Sequence, residues 1–117
     1  LQDRMKDMAK TSTVEFRHVH VVGAGTMGAD IAAWCAIHGM SVTLQDREMQ
    51  FVNAGLQRAH ETLTRKLKTE ERITAAAERL VGDLTGEGAR SADLIIEAIF
   101  EVGINGSQYL LRVGLCH

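Results

Sequence analysis

Three glycines, Gly23, Gly25 and Gly28, stand in the run VVGAGTMG, and an acid, Asp46, closes the next apolar run, 18 residues past Gly28. This spacing suits phosphate chemistry. Gly23 permits a tight turn off a strand, Gly25 lets bare backbone approach a pyrophosphate, and Gly28 lets the following helix pack against the strand. Unpaired N–H groups and the positive dipole end of that helix then face the anion, with Ala24, Thr26 and Met27 completing the loop. Asp46 is placed to accept hydrogen bonds from both hydroxyls of an adenosine ribose, which favours NAD over NADP because a 2′-phosphate meets a like charge. Arg47 tempers that preference, since a guanidinium can cover an adenine or neutralise a phosphate.

Other residues offer weaker chemistry. His18 and His20 point to one face of a strand, but no third metal ligand accompanies them, and they read as a partly exposed pair. Cys35 and His38 fall on one helix face and likewise lack further ligands, and Cys35 reads as a buried, inert thiol. Glu97, inside LIIEAIF, is a carboxylate near the end of a buried strand, where ligands of open α/β sheets lie; it is expected to face the ligand. No catalytic residue and no metal site is assigned.

The elements needed to position these groups are legible. RHVHVV has the β-branched character of a strand, and Thr26 to His38 carries helical spacing through Met27, Ile31, Trp34 or Cys35, and His38, with Gly39 as the C-terminal glycine. MSVTLQ reads as a second strand. Beyond it, Leu56, Ala59 or His60, Leu63 and Leu67 form one helical stripe, and Ile73, Ala76 or Ala77, and Leu80 form another, whose start is marked by Thr69 with Glu70 and Glu71. A very short strand in RLVGDLTGEG and the unbroken apolar run ADLIIEAIF complete a pattern of strands separated by helices, which implies a parallel α/β sheet.

Composition sets the limits. At 117 residues the chain holds one domain at most, and its net charge of −2 gives no basic surface for nucleic acid. No apolar run approaches the ~20 residues needed to span a bilayer. Two cysteines are too few for a disulfide scaffold and fit a reducing compartment. A chain that begins with Leu1 and has no proline reads as a segment of something longer.

The run VVGAGTMGADIAAWCAIHGMSVTLQD together with ADLIIEAIFE resembles the NAD-binding domain of the L-3-hydroxyacyl-CoA dehydrogenases, in particular the dehydrogenase half of the multifunctional fatty acid β-oxidation protein. The opening LQDRMKDMAK resembles the linker helix that follows an enoyl-CoA hydratase half in such chains. The resemblance implies a Rossmann-type parallel sheet, here only the first half, with a helical hairpin inserted at residues 50–79. Residues 1–15 would be linker helix and link, 16–101 the partial NAD-binding domain, and 102–117 a tail that departs from the family. It implies NAD as cofactor, with Gly23, Ala24, Gly25, Thr26, Met27 and Gly28 at the pyrophosphate, Asp46 and Arg47 at the adenosine, and Glu97 and Ala98 toward the nicotinamide. It also implies oxidation of a 3-hydroxyacyl-CoA to a 3-ketoacyl-CoA by the parent enzyme, a thiolase as partner in the parent complex, and a bacterial cytoplasmic, peroxisomal or mitochondrial setting.

The departure begins at Val102, where the family has Asn; Gly106 falls where a Lys is usual, and His117 lacks the context of the family's catalytic histidine. The chain alone is therefore expected to be inactive. With no fifth parallel strand, DLIIEAI becomes an exposed apolar edge, so self-association, or pairing of the tail along that edge, is expected. Two other readings stay open: a non-catalytic NAD(H)-binding or regulatory module, and a relative of the β-hydroxyacid dehydrogenases.

Overall fold

A computed structural model describes residues 16–103 and 106–115. Its elements run β1 (His18–Val22), α1 (Thr26–Ile37), β2 (Ser41–Gln45), α2 (Met49–Lys66), α3 (Glu70–Glu78), β3 (Leu80–Asp83), a 3-10 turn (Glu87–Arg90), β4 (Leu94–Gly103) and β5 (Gly106–Leu115). The five strands form one sheet in the order β3-β2-β1-β4-β5. β1 lies parallel to β2 and β4, and β2 parallel to β3, so the first four strands are an open parallel sheet of Rossmann type. The expected short strand after Arg79 is β3. The linker helix expected at residues 2–9 lies outside the described residues.

Alternation along the strands divides the sheet into two faces. Val19, Val21, Val42, Leu44 and Ile96 point to one side, where they meet Ala29, Ala32, Ala33 and Ala36 of α1 and Ala59 and Leu63 of α2. Leu44, Leu63 and the valines are fully buried, each contributing about 1.5–3 kcal/mol relative to an exposed side chain. The other side carries His18, His20, Thr43, Gln45 and Asp83, a polar set treated below.

Helix α1 corrects the expected stripe. Its buried residues are Gly28, Ala29, Ala32, Ala33, Cys35 and Ala36, whereas Trp34 is 57% exposed. Small side chains let this helix lie close to β1 and β4, so alanine and glycine form the inner face, Ile31 and Ile37 pack at its margin, and Trp34 is turned outward. Cys35 and His38 accordingly do not share an environment: the thiol is buried, while His38 is exposed and stacks on Trp34 at 4.0 Å between ring centroids. Gly39 ends the helix with φ +92°, the left-handed conformation of a C-terminal glycine. The Arg79 guanidinium donates to the Ala36 carbonyl at 2.8 Å, placing a cation on the negative end of α1.

The hairpin after β2 is α2 and α3. α2 buries Val52, Gly55, Ala59, Thr62 and Leu63, close to the expected stripe, and Arg65 and Lys66 occupy its last turn. Thr69 caps α3, its Oγ1 accepting from the Arg72 N–H at 3.3 Å, with Glu70 and Glu71 in the first turn.

The edge of β4 is covered rather than exposed. β5 runs antiparallel beside it from Gly103↔Gly106 to Leu94↔Leu115. Of the two outcomes expected for this edge, the tail's own pairing is the one observed. The sheet is consequently mixed, and Leu111, Val113 and Leu115 remain more than half exposed on β5.

Candidate cofactor site

The site is built where β1 turns into α1. Gly23 has φ +104°, a conformation strained for any side chain, and its N–H donates to the Gln45 carbonyl at 2.8 Å, tying the turn to the end of β2. A Cβ at Gly23 would collide with the Ala98 carbonyl, and one at Gly28 with the Gly23 carbonyl. These two glycines are demanded by the packing of the chain itself. Gly25 is different. Its φ is −76°, which any residue adopts, and an added Cβ would find nothing within 4 Å. No contact among the described residues requires a glycine there.

Gly25 is also the N-cap of α1. No side chain caps this helix start and its first turn holds no acid, so its first N–H groups have no side-chain acceptor among the described residues. Around it, Gly23, Gly25, Thr26, Met27, Gly28, Asp46, Arg47 and Ala98 line one cavity of about 600 Å³. Val22, Gln45 and Ile99 line it as well; the sequence did not single them out, because apolar or neutral strand-end residues carry no chemical signal of their own.

Ala24 is buried, and its N–H donates to Asp46 Oδ2 at 2.8 Å, while Oδ1 accepts from the Arg47 N–H. The carboxylate is thus fixed at the rim of the loop with lone pairs left to accept further hydrogen bonds. Glu97 does not join this group. It is half-buried, in register with Val22 and Arg112, and alternation sets it on the opposite side of β4 from Ala98, which lies against Gly28. Glu97 does not line the cavity, although its register partner Val22 and its same-side neighbour Ile99 both do.

Of the two histidines, His18 is half-buried on the same strand face as His20, as expected, but His20 departs from expectation. His20 is fully buried, its Nδ1 2.6 Å from Thr43 Oγ1 and its Nε2 2.7 Å from Gln45 Oε1, with Asp83 at 3.9 Å. Only knowledge that β2 lies beside β1, with β3 beyond it, could have shown this. Burial pushes the Asp83 carboxyl up, but the N–H groups of Gly88 and Gly86, then the His20 ring and the Thr85 N–H, outweigh it and leave the group below its ordinary value. Hydrogen bonds from the N–H groups of His18 and Arg17 hold Asp93 below the usual range as well. Among the described residues no three His, Cys, Asp or Glu side chains gather as metal ligands, and no helix is long and apolar enough to cross a membrane.

A parallel sheet with a glycine turn at the start of its first crossover helix, open helix N–H groups and an acid at the next strand end define a dinucleotide-binding protein of Rossmann type. Comparison with known proteins gives the family: residues 18–103 match the model of the 3-hydroxyacyl-CoA dehydrogenase NAD-binding domain, and the chain belongs to it. NAD is the cofactor of that domain. The chain is 35% identical over 92 residues to a probable 3-hydroxybutyryl-CoA dehydrogenase of Bacillus subtilis, covering 75% of this chain and 32% of that protein. It is 24% identical over 105 residues to the fatty acid oxidation complex subunit alpha of Idiomarina loihiensis, covering 86% of this chain and 15% of that one. The crystal structure of (S)-3-hydroxybutyryl-CoA dehydrogenase PaaH1 from Ralstonia eutropha superposes with a TM-score of 0.69 at 33% identity, over 74% of this chain and 32% of that chain. The chain therefore spans about a third or less of the length of these relatives.

Proposed function

We propose that this chain is the cofactor-holding part of an NAD-dependent 3-hydroxyacyl-CoA dehydrogenase of fatty acid β-oxidation, and that its cavity takes the adenosine and pyrophosphate of NAD. The observation that carries this reading is Gly25, whose missing side chain serves no contact among the described residues. Gly25, Thr26 and Met27 present backbone N–H groups to the pyrophosphate at the start of α1, and Gly23 and Gly28 keep that surface flat. Asp46 accepts the ribose hydroxyls and disfavours a 2′-phosphate, with Arg47 beside it over the adenine. Ala98 and Ile99 form the wall toward the nicotinamide. When bound, NAD supplies the acceptor for the hydride that leaves C3 of a hydroxyacyl-CoA.

The chain alone is proposed to lack turnover. Asp46 is the one carboxylate among the described residues lining the cavity, and it is already engaged by two backbone N–H groups. The parent protein is proposed to act in the bacterial cytoplasm, a reading that its bacterial relatives support, with a peroxisomal or mitochondrial setting as the alternative, and a thiolase is proposed as partner in its complex. The outer edge of β5, with exposed Leu111, Val113 and Leu115, is proposed as the place where copies of the chain associate.

Calorimetric titration of the 117-residue chain with NAD, NADP and ADP tests the assignment. NAD and ADP are expected to bind, and NADP at least tenfold more weakly. Equal affinity for NAD and NADP would remove the role of Asp46, and no binding of either NAD or ADP would remove the reading. A measurable rate with acetoacetyl-CoA and NADH would refute the proposed inactivity.

A further inference from the structure

The polar face of the sheet holds an unbroken chain of hydrogen bonds that ends at the cofactor cavity. Ser91 Oγ lies 3.2 Å from His18 Nδ1; His18 Nε2 lies 2.9 Å from Thr43 Oγ1; Thr43 Oγ1 lies 2.6 Å from His20 Nδ1; and His20 Nε2 lies 2.7 Å from Gln45 Oε1. Gln45 lines the cavity. An amide oxygen only accepts, so His20 Nε2 carries a hydrogen and donates. In the neutral ring Nδ1 must then accept from the Thr43 hydroxyl. Thr43 in turn accepts from His18 Nε2–H, and His18 Nδ1 accepts from Ser91. Every donor in the series points the same way, toward Gln45, so one partner fixes the next.

The turn below is shaped to the same carboxamide. Asp83 Oδ1 accepts from the N–H groups of Thr85 and Gly86, and Oδ2 from Gly88. This brings Gly86, at φ +86°, against Gln45, where an added Cβ would stand 2.9 Å from Gln45 Nε2. With its oxygen taken by His20, the Gln45 carboxamide has its NH2 group left over. That group has no acceptor among the described residues and belongs to a residue of the cavity wall.

Resting on the assignment of the cavity to NAD, we infer that His20 is a positioning residue for cofactor binding: its Nε2–H holds the Gln45 carboxamide so that the NH2 group stands ready to donate to the bound dinucleotide. His20 itself, fully buried behind Gln45, does not touch the ligand. A carboxamide free to rotate would present donor and acceptor alike, and its ordering would oppose binding; one locked by a buried ring is already in the binding orientation. The charged group nearest the ring is Asp83, 3.9 Å from Nδ1.

The experiment combines nuclear magnetic resonance of the free 117-residue chain with NAD calorimetry of three variants. In the free protein, long-range 1H–15N spectra are expected to show His20 as the Nε2–H tautomer, and His20→Leu to shift the Gln45 side-chain NH2 signals. His20→Leu and Gln45→Leu are each expected to weaken NAD about tenfold, the loss of one well-placed hydrogen bond. His20→Gln, which keeps a donor at the Nε2 position, is expected to stay within about twofold of wild type. Should His20→Leu fail to fold, His20→Gln and Gln45→Leu carry the same comparison. An Nδ1–H tautomer, unmoved Gln45 signals, or a folded His20→Leu or Gln45→Leu chain with wild-type NAD affinity overturns the inference. A wild-type chain that binds no NAD overturns the proposed function instead, and the spectra of the free chain then decide the role of His20.

Discussion

The Ala24 N–H and the Asp46 carboxylate are joined at 2.8 Å, so the glycine turn and the acid at the end of β2 form one unit although 22 residues separate them in sequence. Asp46→Ala is therefore expected to disturb two things: the ribose acceptor and the anchor of the loop. Calorimetry should show NAD and ADP both weakened by tenfold or more. Asp46→Asn, which keeps an oxygen for Ala24, should lose less and should discriminate less against NADP.

The glycines of the turn should separate under mutation. Gly25→Ala meets open space and is expected to lower the thermal midpoint by no more than about 5 °C, the cost of a poorer helix N-cap, while lowering NAD affinity at least tenfold. Gly28→Ala would drive a methyl group into the Gly23 carbonyl, and a loss of about 1–3 kcal/mol in urea unfolding is expected. Were Gly25→Ala to bind NAD normally, its glycine would have no ligand to explain it.

Acid stability should depend on Asp83. A carboxyl held below its unfolded value near 3.8 adds stability that is fully present above about pH 4 and is lost as pH falls through the lower, folded value. Asp83→Ala leaves the N–H groups of Gly86 and Gly88 without their partner and should cost about 1–3 kcal/mol at neutral pH. Chemical unfolding followed from pH 7 to pH 2 should show a smaller pH dependence in the variant.

Burial raises the Cys35 thiol pKa, which disfavours the reactive thiolate. In a Cys116→Ser background, Cys35 should react with iodoacetamide at pH 8 at least tenfold more slowly than free cysteine, and at the free rate in urea. Mass spectrometry of quenched samples gives both rates.

Much of this molecule can be read before its structure, and the parts that cannot share a cause. Gly23, Gly28 and Gly39 were legible because a turn, a close approach and a helix end each demand glycine locally. Thr69 was legible because a cap needs only its own turn. The inner face of α1 was not: hydrophobic spacing directs attention to Met27, Ile31 and Trp34, whereas close helix-to-sheet approach selects alanines. His20 failed for a related reason. Its surroundings depend on which side of a strand faces which neighbour, and its partners come from β2 and β3, 23 or more residues away. The paired tail was anticipated as one of two outcomes, since an apolar edge states a need without naming its occupant.

The reversed direction of β5 has a practical result. Because Leu115 lies beside Leu94 while Ala98 borders the cavity, the carboxyl-terminal end of β5 returns to the opposite rim of the sheet, about 13 Å away at ~3.3 Å per residue. A biotin or dye coupled at that end, used to tether the molecule to a sensor surface, would hold it with the mouth of the nucleotide cleft turned toward the flowing solution.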